Sequence, residues 1–315
     1  MKRRTFAARL AFAATAMPTA VRATVASSSM VRGIDDAGRA IVLDRPARRV
    51  VTLAPALTEL VYAAGGGPAM VGTVLPNDAP PEAQALPVVG DALRFDVERL
   101  LGLRPDLVLA WHHGNPERAL APLEAAGITL FRLEPRRLDD VPVALERVGA
   151  LLGTAPLAHE QARVLRAEID AVRAAHRGAT PVRVFYQVWS EPLMTLNGHH
   201  LVSDLIAACG GVNVFASLGP LVPQLSAESV LVANPEVFLT ARDGFHDPSG
   251  LRRDADDPAY ARWMRFRDLT PVRRRWLYAL DGDLVARPGP RIAHGARAIC
   301  AALDEVRRER AARPR

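Results

Sequence analysis

Apolar residues at Ala158, Ala162, Leu165, Ile169 and Val172 recur at alternating spacings of four and three. That spacing puts them on one stripe of a helix and leaves its other faces wet. Thr154-Ala155-Pro156 opens the helix, which runs to about His176. At about 1.5 Å per residue it spans roughly 31 Å, the width of a small domain. Ahead of it, Asp140 to Leu152 predicts another helix, closed by Gly153. On both sides of this pair, short continuous apolar runs alternate with amphipathic ones. Strands are predicted at Val50–Leu53, Met70–Thr73 and Ile128–Leu133, with helices at Ala56–Ala64 and Pro116–Ala126. After the pair come strands at Val182–Val188 and Trp276–Leu280, with helices at Leu201–Ala208 and Pro290–Ala311. Alternation of this kind means mostly parallel sheets.

One unit occurs twice. Asp96-Val97-Glu98-Arg99-Leu100-Leu101 followed by Pro105-Asp106-Leu107-Val108-Leu109 returns 130 residues later as Ser226-Ala227-Glu228-Ser229-Val230-Leu231 and Pro235-Glu236-Val237-Phe238-Leu239. Each copy reads as a capped helix stopped ahead of a proline and followed by a buried parallel strand. A repeat this long marks a duplicated lobe and not a solenoid. The expected fold is therefore α/β, two lobes joined by one long rigid helix, and such a connector limits hinge motion. The divisions are an export signal at 1–26, an N-terminal lobe at 31–139, connecting helices at 140–178 and a C-terminal lobe at 179–315. Asp35-Asp36-Ala37-Gly38-Arg39 reads as a hairpin turn leading into the first lobe. Residues 243–274 carry no regular pattern and receive no element.

The formal charge of +6 changes meaning once the N-terminus is read. Met1-Lys2-Arg3-Arg4-Thr5-Phe6 followed by the short apolar stretch Ala7–Ala20 is an export signal, too short for a membrane span. Arg3-Arg4 fits either the general secretory or the twin-arginine route. Removal of residues 1–26 takes away Lys2, Arg3, Arg4, Arg9 and Arg22 and no acid, leaving +1. Nothing in that balance calls for nucleic acid, and the basic tail Arg307, Arg308, Arg310, Arg313, Arg315 reads as a solvated helix end. Cys209 and Cys300 are the two cysteines, and an exported chain favours pairing them, with two buried free thiols as the alternative.

Candidate chemistry lies where strands end, because open α/β sheets bind ligands beyond their carboxyl ends. The repeated strands lead into Trp111-His112-His113-Gly114-Asn115 and Arg242-Asp243-Gly244-Phe245-His246. Trp111 offers a flat apolar face for a ring-shaped ligand. His112 and His113 diverge as neighbours, so at most one points inward, and His199-His200 reads as a turn. Gly65-Gly66-Gly67 follows a helix and reads as its cap and turn. No Gly-x-Ser-x-Gly, His-Glu-x-x-His or Walker sequence is present.

Four segments carry a resemblance: Trp111-His112-His113-Gly114-Asn115-Pro116-Glu117-Arg118, Cys209-Gly210-Gly211-Val212-Asn213-Val214-Phe215, Pro223-Gln224-Leu225-Ser226-Ala227-Glu228 and Arg287-Pro288-Gly289-Pro290-Arg291-Ile292. In these the chain resembles, from Arg49 to Leu303, the periplasmic vitamin B12-binding proteins of bacterial ABC importers. They belong to the helical-backbone class of solute-binding proteins, which also includes haem and siderophore receptors. The resemblance implies two Rossmann-like lobes that close only slightly, no enzymatic activity, no catalytic cofactor and no resident metal. It implies a monomer that carries a small molecule, cobalamin, to a permease at the inner membrane. It also implies a Cys209–Cys300 disulfide and permease-docking carboxylates at Glu117 and Glu228. The ligand-contact positions are Ala56, Trp111, His112, Trp189, Phe245, Asp283 and Arg287, Trp189 and Phe245 as replacements for missing aromatics. Ala79, Ala92 and Val222 stand where tyrosine or tryptophan is expected, so haem or a ferric siderophore, with His112 or His113 on the iron, is the alternative cargo. The alternative of a different class is an exported metal-dependent enzyme in which His112 or His113 converges with His199, His200 or His246.

Overall fold

The computed structural model describes residues 30–245 and 247–312. The export segment 1–26, His246, Arg313 and Arg315 lie outside the described residues. A hairpin of β1 (Val31–Ile34) and β2 (Ala40–Leu43) comes first. The buried Asp35 closes its turn by accepting the N–H groups of Ala37 and Arg39. The first lobe then runs β3 (Val50–Thr52), α1 (Pro55–Ala63), β4 (Met70–Leu75), β5 (Val88–Asp91), α2 (Val97–Gly102), β6 (Leu107–Trp111), α3 (Glu117–Ala125) and β7 (Leu130–Leu133). Helices α4 (Asp140–Leu152) and α5 (Ala155–Ala175) follow. The second lobe holds β8 (Val182–Gln187), β9 (Trp189–Ser190), β10 (Leu193–Met194), α6 (Leu201–Ala208), β11 (Gly211–Asn213), α7 (Ala227–Ala233) and β12 (Val237–Arg242). It ends with β13 (Leu251–Arg253), α8 (Thr270–Arg274), β14 (Leu277–Asp281), α9 (Gly282–Val285) and α10 (Ile292–Ala312).

Each lobe is built on a five-stranded sheet. The first has the order β5-β4-β3-β6-β7 with every pairing parallel. The second has the order β11-β8-β12-β14-β13, parallel except for the edge pair β13–β14. The duplicated unit falls on matching places in both sheets. Asp96 caps α2 by accepting the Arg99 N–H, and Ser226 caps α7 by accepting the Ser229 N–H. Each helix is followed by a left-handed residue just before proline, Arg104 (φ 48°) and Asn234 (φ 37°). Each then delivers a strand, β6 or β12, that is paired on both sides.

The five residues of the sequence-predicted stripe are the five buried residues of α5. They pack against α4 and α10, and α4 in turn packs against α1. One buried apolar cluster therefore runs from Val50 and Leu107 in the first sheet, through Leu145, Leu165 and Ile169, to Val184, Leu239 and Ile299 in the second lobe. The far faces of the two sheets have their own clusters, around Leu100 and Val108 and around Phe185, Phe238 and Trp263.

Five strands have no counterpart in the sequence reading: β5, β9, β10, β11 and β13. β5 and β11 are short sheet edges carrying glycine, which offers little apolar signal, and the other three are two or three residues long. Residues 243–274 are ordered around aromatic anchors: Tyr260 donates its hydroxyl to the Tyr278 carbonyl at 2.6 Å, and the Trp263 indole N–H bonds Gln187 at 2.7 Å. Cys209, at the end of α6, is disulfide-bonded to Cys300 in α10 across 91 residues of sequence. In the chain-entropy account, closing a loop of that length stabilises the fold by about 4–5 kcal/mol. Reduction, or Cys300→Ser, should lower the unfolding free energy by about that amount, read from the midpoint shift of a urea titration at constant slope.

Candidate functional site

Strand order reverses between β3 and β6 in the first sheet and between β8 and β12 in the second. Such switch points open a crevice outside the carboxyl ends of the strands. The segments at the first are Leu53–Ala56, which enters α1, and Trp111–Asn115, which leaves β6; those at the second are Val188–Trp189 and Asp243–Phe245. Four of the sequence-predicted contacts, Ala56, Trp111, Trp189 and Phe245, therefore stand at the two switch points.

The Trp111 turn is locked by Asn115, which is buried. Its Oδ1 accepts the Trp111 N–H at 2.6 Å, and its amide donates to the carbonyls of Leu53 at 2.8 Å and Ala92 at 2.7 Å. The indole lies directly on Gly114, where a Cβ would overlap ring carbons. Trp111 is left 41% exposed. Beneath it lies a cavity of about 90 Å³ lined by Ala56, Leu133 and Pro135 from one lobe and Ala286, Arg287 and Pro288 from the other. Ala56, Trp111 and Arg287 thus line one cavity. Trp189, just past β8 in the second lobe, is 63% exposed, and the Phe245 ring lies under the Arg252 guanidinium at 5.5 Å.

Charged groups make the adjoining floor. Arg287 bonds Asp283 of its own lobe at 2.6 Å and Asp78 of the other at 2.8 Å, and reaches Glu59 at 3.4 Å. Arg291 forks on both oxygens of Glu59 at 2.7 and 2.8 Å. This is no surface ion pair: the Arg287 side chain is 13% exposed and held by three carboxylates. Glu59, Asp78 and Arg291 escaped sequence reading; the available signal was one acid in the apolar run Leu57-Thr58-Glu59-Leu60-Val61. Burial pushes the Asp283 carboxyl up to about 6, with the nearby Asp78 charge adding to the rise and Arg287 opposing it. Asp78 itself is held low, because Arg287 outweighs the effect of burial.

Among the described histidines, His113 and His200 have separate partners. His113 contacts Glu134 and Arg136 at the surface, while the half-buried His112 leaves its Nδ1 without a hydrogen-bond partner. His200 caps α6 by accepting the Val202 N–H, and burial pulls it down to about 4, so it stays neutral at ordinary pH. Among the described residues, no three His, Cys, Asp or Glu side chains are grouped to hold a metal ion. No described helix is long and apolar enough to cross a membrane.

Residues 50–260 match the family of periplasmic binding proteins. The chain belongs to that family. The vitamin B12-binding protein of Vibrio parahaemolyticus is 32% identical over 267 residues, 85% of this chain and 93% of its own. The crystal structure of the periplasmic vitamin B12 binding protein of Vibrio cholerae superposes with a TM-score of 0.73 at 32% identity, covering 83% of this chain and 98% of that one. The periplasmic heme-binding protein of Roseiflexus in its apo form gives 0.69 at 26% identity, covering 82% and 99%. This chain is a periplasmic solute-binding protein and not an enzyme, so the metal-dependent alternative falls.

In the binding protein, Glu117 and Glu228 differ in setting. Glu117 begins α3 and is 65% exposed, yet Arg132 holds both its oxygens at 2.6 and 2.8 Å and keeps its carboxyl below the usual range. Glu228 is fully exposed in the first turn of α7, where its own backbone N–H and the Ser226 side chain hold it low. Asp283 supplies a pH prediction. Its folded affinity for a proton exceeds that of a free aspartate at 3.8, so its contribution to stability is largest at low pH and is lost as pH rises through about 6. The unfolding free energy of wild type minus that of Asp283→Asn should fall as pH rises from 3.8 to about 6 and level off above; a flat difference would show that Asp283 titrates normally.

Proposed function

We propose that this binding protein captures cobalamin or a related corrinoid between its lobes and hands it to the permease of an ABC importer. The observation that carries the reading is the pair of exposed indoles, Trp111 and Trp189, one at each switch point. The cavity under Trp111, about 90 Å³, is far below the roughly 300–1,000 Å³ of enclosed small-molecule sites. The body of the ligand therefore lies in the open cleft, its ring against Trp111, with His112, Trp189 and Phe245 around it. Ala56 bounds the cavity below, where a peripheral side chain fits, and Asp283 and Arg287 meet its amides. The names of the relatives support this cargo.

The working division is 31–139, 140–178 and 179–315, with a monomer exported by the general secretory or twin-arginine route. Glu117 and Glu228, one per lobe, are the acidic contacts for basic residues of the permease; both are exposed and ionised at neutral pH. A second reading keeps the cleft and changes the cargo to haem or a ferric siderophore. It is favoured by the half-buried His112 beside Trp111 and by the haem-binding relative.

Titration with hydroxocobalamin, cyanocobalamin, cobinamide and hemin, followed by absorbance, separates these cargoes. The corrinoid reading expects a 1:1 complex at about −8 kcal/mol or better, and absence of binding to every corrinoid ends it. Haem binding would instead give a Soret shift lost on substitution of His112 or His113. Trp111→Ala should weaken the bound ligand by about 1–2 kcal/mol. Gly114→Ala should do nearly the same by lifting the indole off its seat, and isothermal titration of both variants checks the equivalence.

A further inference from the structure

Glu59 sits in the middle of α1 between Leu57, Leu60 and Val61, all buried, where an unpaired carboxylate is strongly disfavoured. Its side chain is 3% exposed, and the guanidiniums that face it belong to the other lobe. A bidentate fork such as that from Arg291 fixes orientation as well as distance. Gly289, between the two arginines, passes so near that a Cβ there would stand 3.3 Å from Glu59 Oε2. The second lobe is thus seated closely on a carboxylate of the first. Arg287, held on one side by this carboxylate and on the other by Asp78 and Asp283, also lines the cavity under Trp111.

We infer that Glu59 is a positioning residue that ties the two lobes together at the cleft floor before any ligand arrives and aims Arg287 at the ligand. The tie requires nothing of the ligand; the aiming of Arg287 rests on the corrinoid reading above. Opening the cleft would hydrate Glu59 and both guanidiniums, so the contact sets a resting position more than it adds stability. Removing Glu59 while the lobes stay closed leaves Arg291 without its fork on the first lobe, and only Asp78 then holds these two guanidiniums to that lobe, through Arg287.

Nitroxide labels at Glu98→Cys and Val232→Cys, exposed positions on the two lobes, report the separation in ligand-free protein by double electron–electron resonance with the native disulfide intact. Wild type should give one narrow distribution. Glu59→Ala should broaden or lengthen it by more than about 2 Å, and Arg291→Ala should do so to a smaller extent. Glu59→Gln, which keeps the shape and loses the charge, should fall between. An unchanged distribution in Glu59→Ala overturns the inference, and if that variant does not fold, an unchanged distribution in Arg291→Ala does so. In titrations with cyanocobalamin, Glu59→Gln should bind roughly ten-fold more weakly, whereas Glu59→Asp, which keeps the charge, should recover part of the loss. Equal affinity in Glu59→Gln and wild type overturns the aiming of Arg287. Wild type that binds no corrinoid defeats the proposed cargo and leaves the distance result standing.

Discussion

The apolar seam along α4 and α5 governs everything else in this molecule. The buried face of α5 packs on α4 and α10, α4 packs on α1, and the cluster they share continues into both sheets. Packed interiors resist deformation because their side chains are interlocked at near-crystalline density. A seam shared by both lobes cannot act as a free hinge without opening voids. The cleft is consequently set by the scaffold, and on the proposed function the loops at the two switch points would meet a ligand in nearly their final places. Such preorganisation spares binding the cost of ordering loops.

Beside this apolar seam lies a charged floor of opposite character. Glu59 and Asp78 from the first lobe meet Asp283, Arg287 and Arg291 from the second. Buried ion pairs contribute little net stability because desolvation offsets their attraction, but they are exacting about geometry. The seam therefore supplies the cohesion, and the floor supplies the registration of one lobe on the other. Asn115 and Gly114 perform the equivalent service for Trp111 within one lobe, by hydrogen bonds to three backbone groups and by the absence of a side chain.

Periodic features were legible in the sequence. The α5 stripe needs only its own spacing, and the repeat at Asp96 and Ser226 needs only comparison of the chain with itself; both correspond to observed elements residue by residue. The edge strands β5 and β11 were not legible, since three or four residues containing glycine carry no period. The charged floor was half legible. Asp283 and Arg287 are four residues apart, whereas Glu59 bonds partners 228 and 232 residues away, a relation that local pattern cannot express. Trp111 and Phe245 could be named from strand ends and Trp189 only as a stand-in for a missing aromatic, but the contact between Phe245 and Arg252 depends on β13 and its flanking loop, which had no pattern to read.

The central claim is that a scaffold held by a shared core presents a preformed cleft to a flat, amide-rimmed ligand. The most direct measurement is a pair of crystal structures, one free and one soaked with cyanocobalamin. The account predicts a corrin ring against Trp111, Arg287 within hydrogen-bond reach of a peripheral amide, and lobes that superpose between the two states to within about 1 Å. A ligand seated away from Trp111 and Arg287, or a wide rotation of one sheet relative to the other about α5, would contradict it.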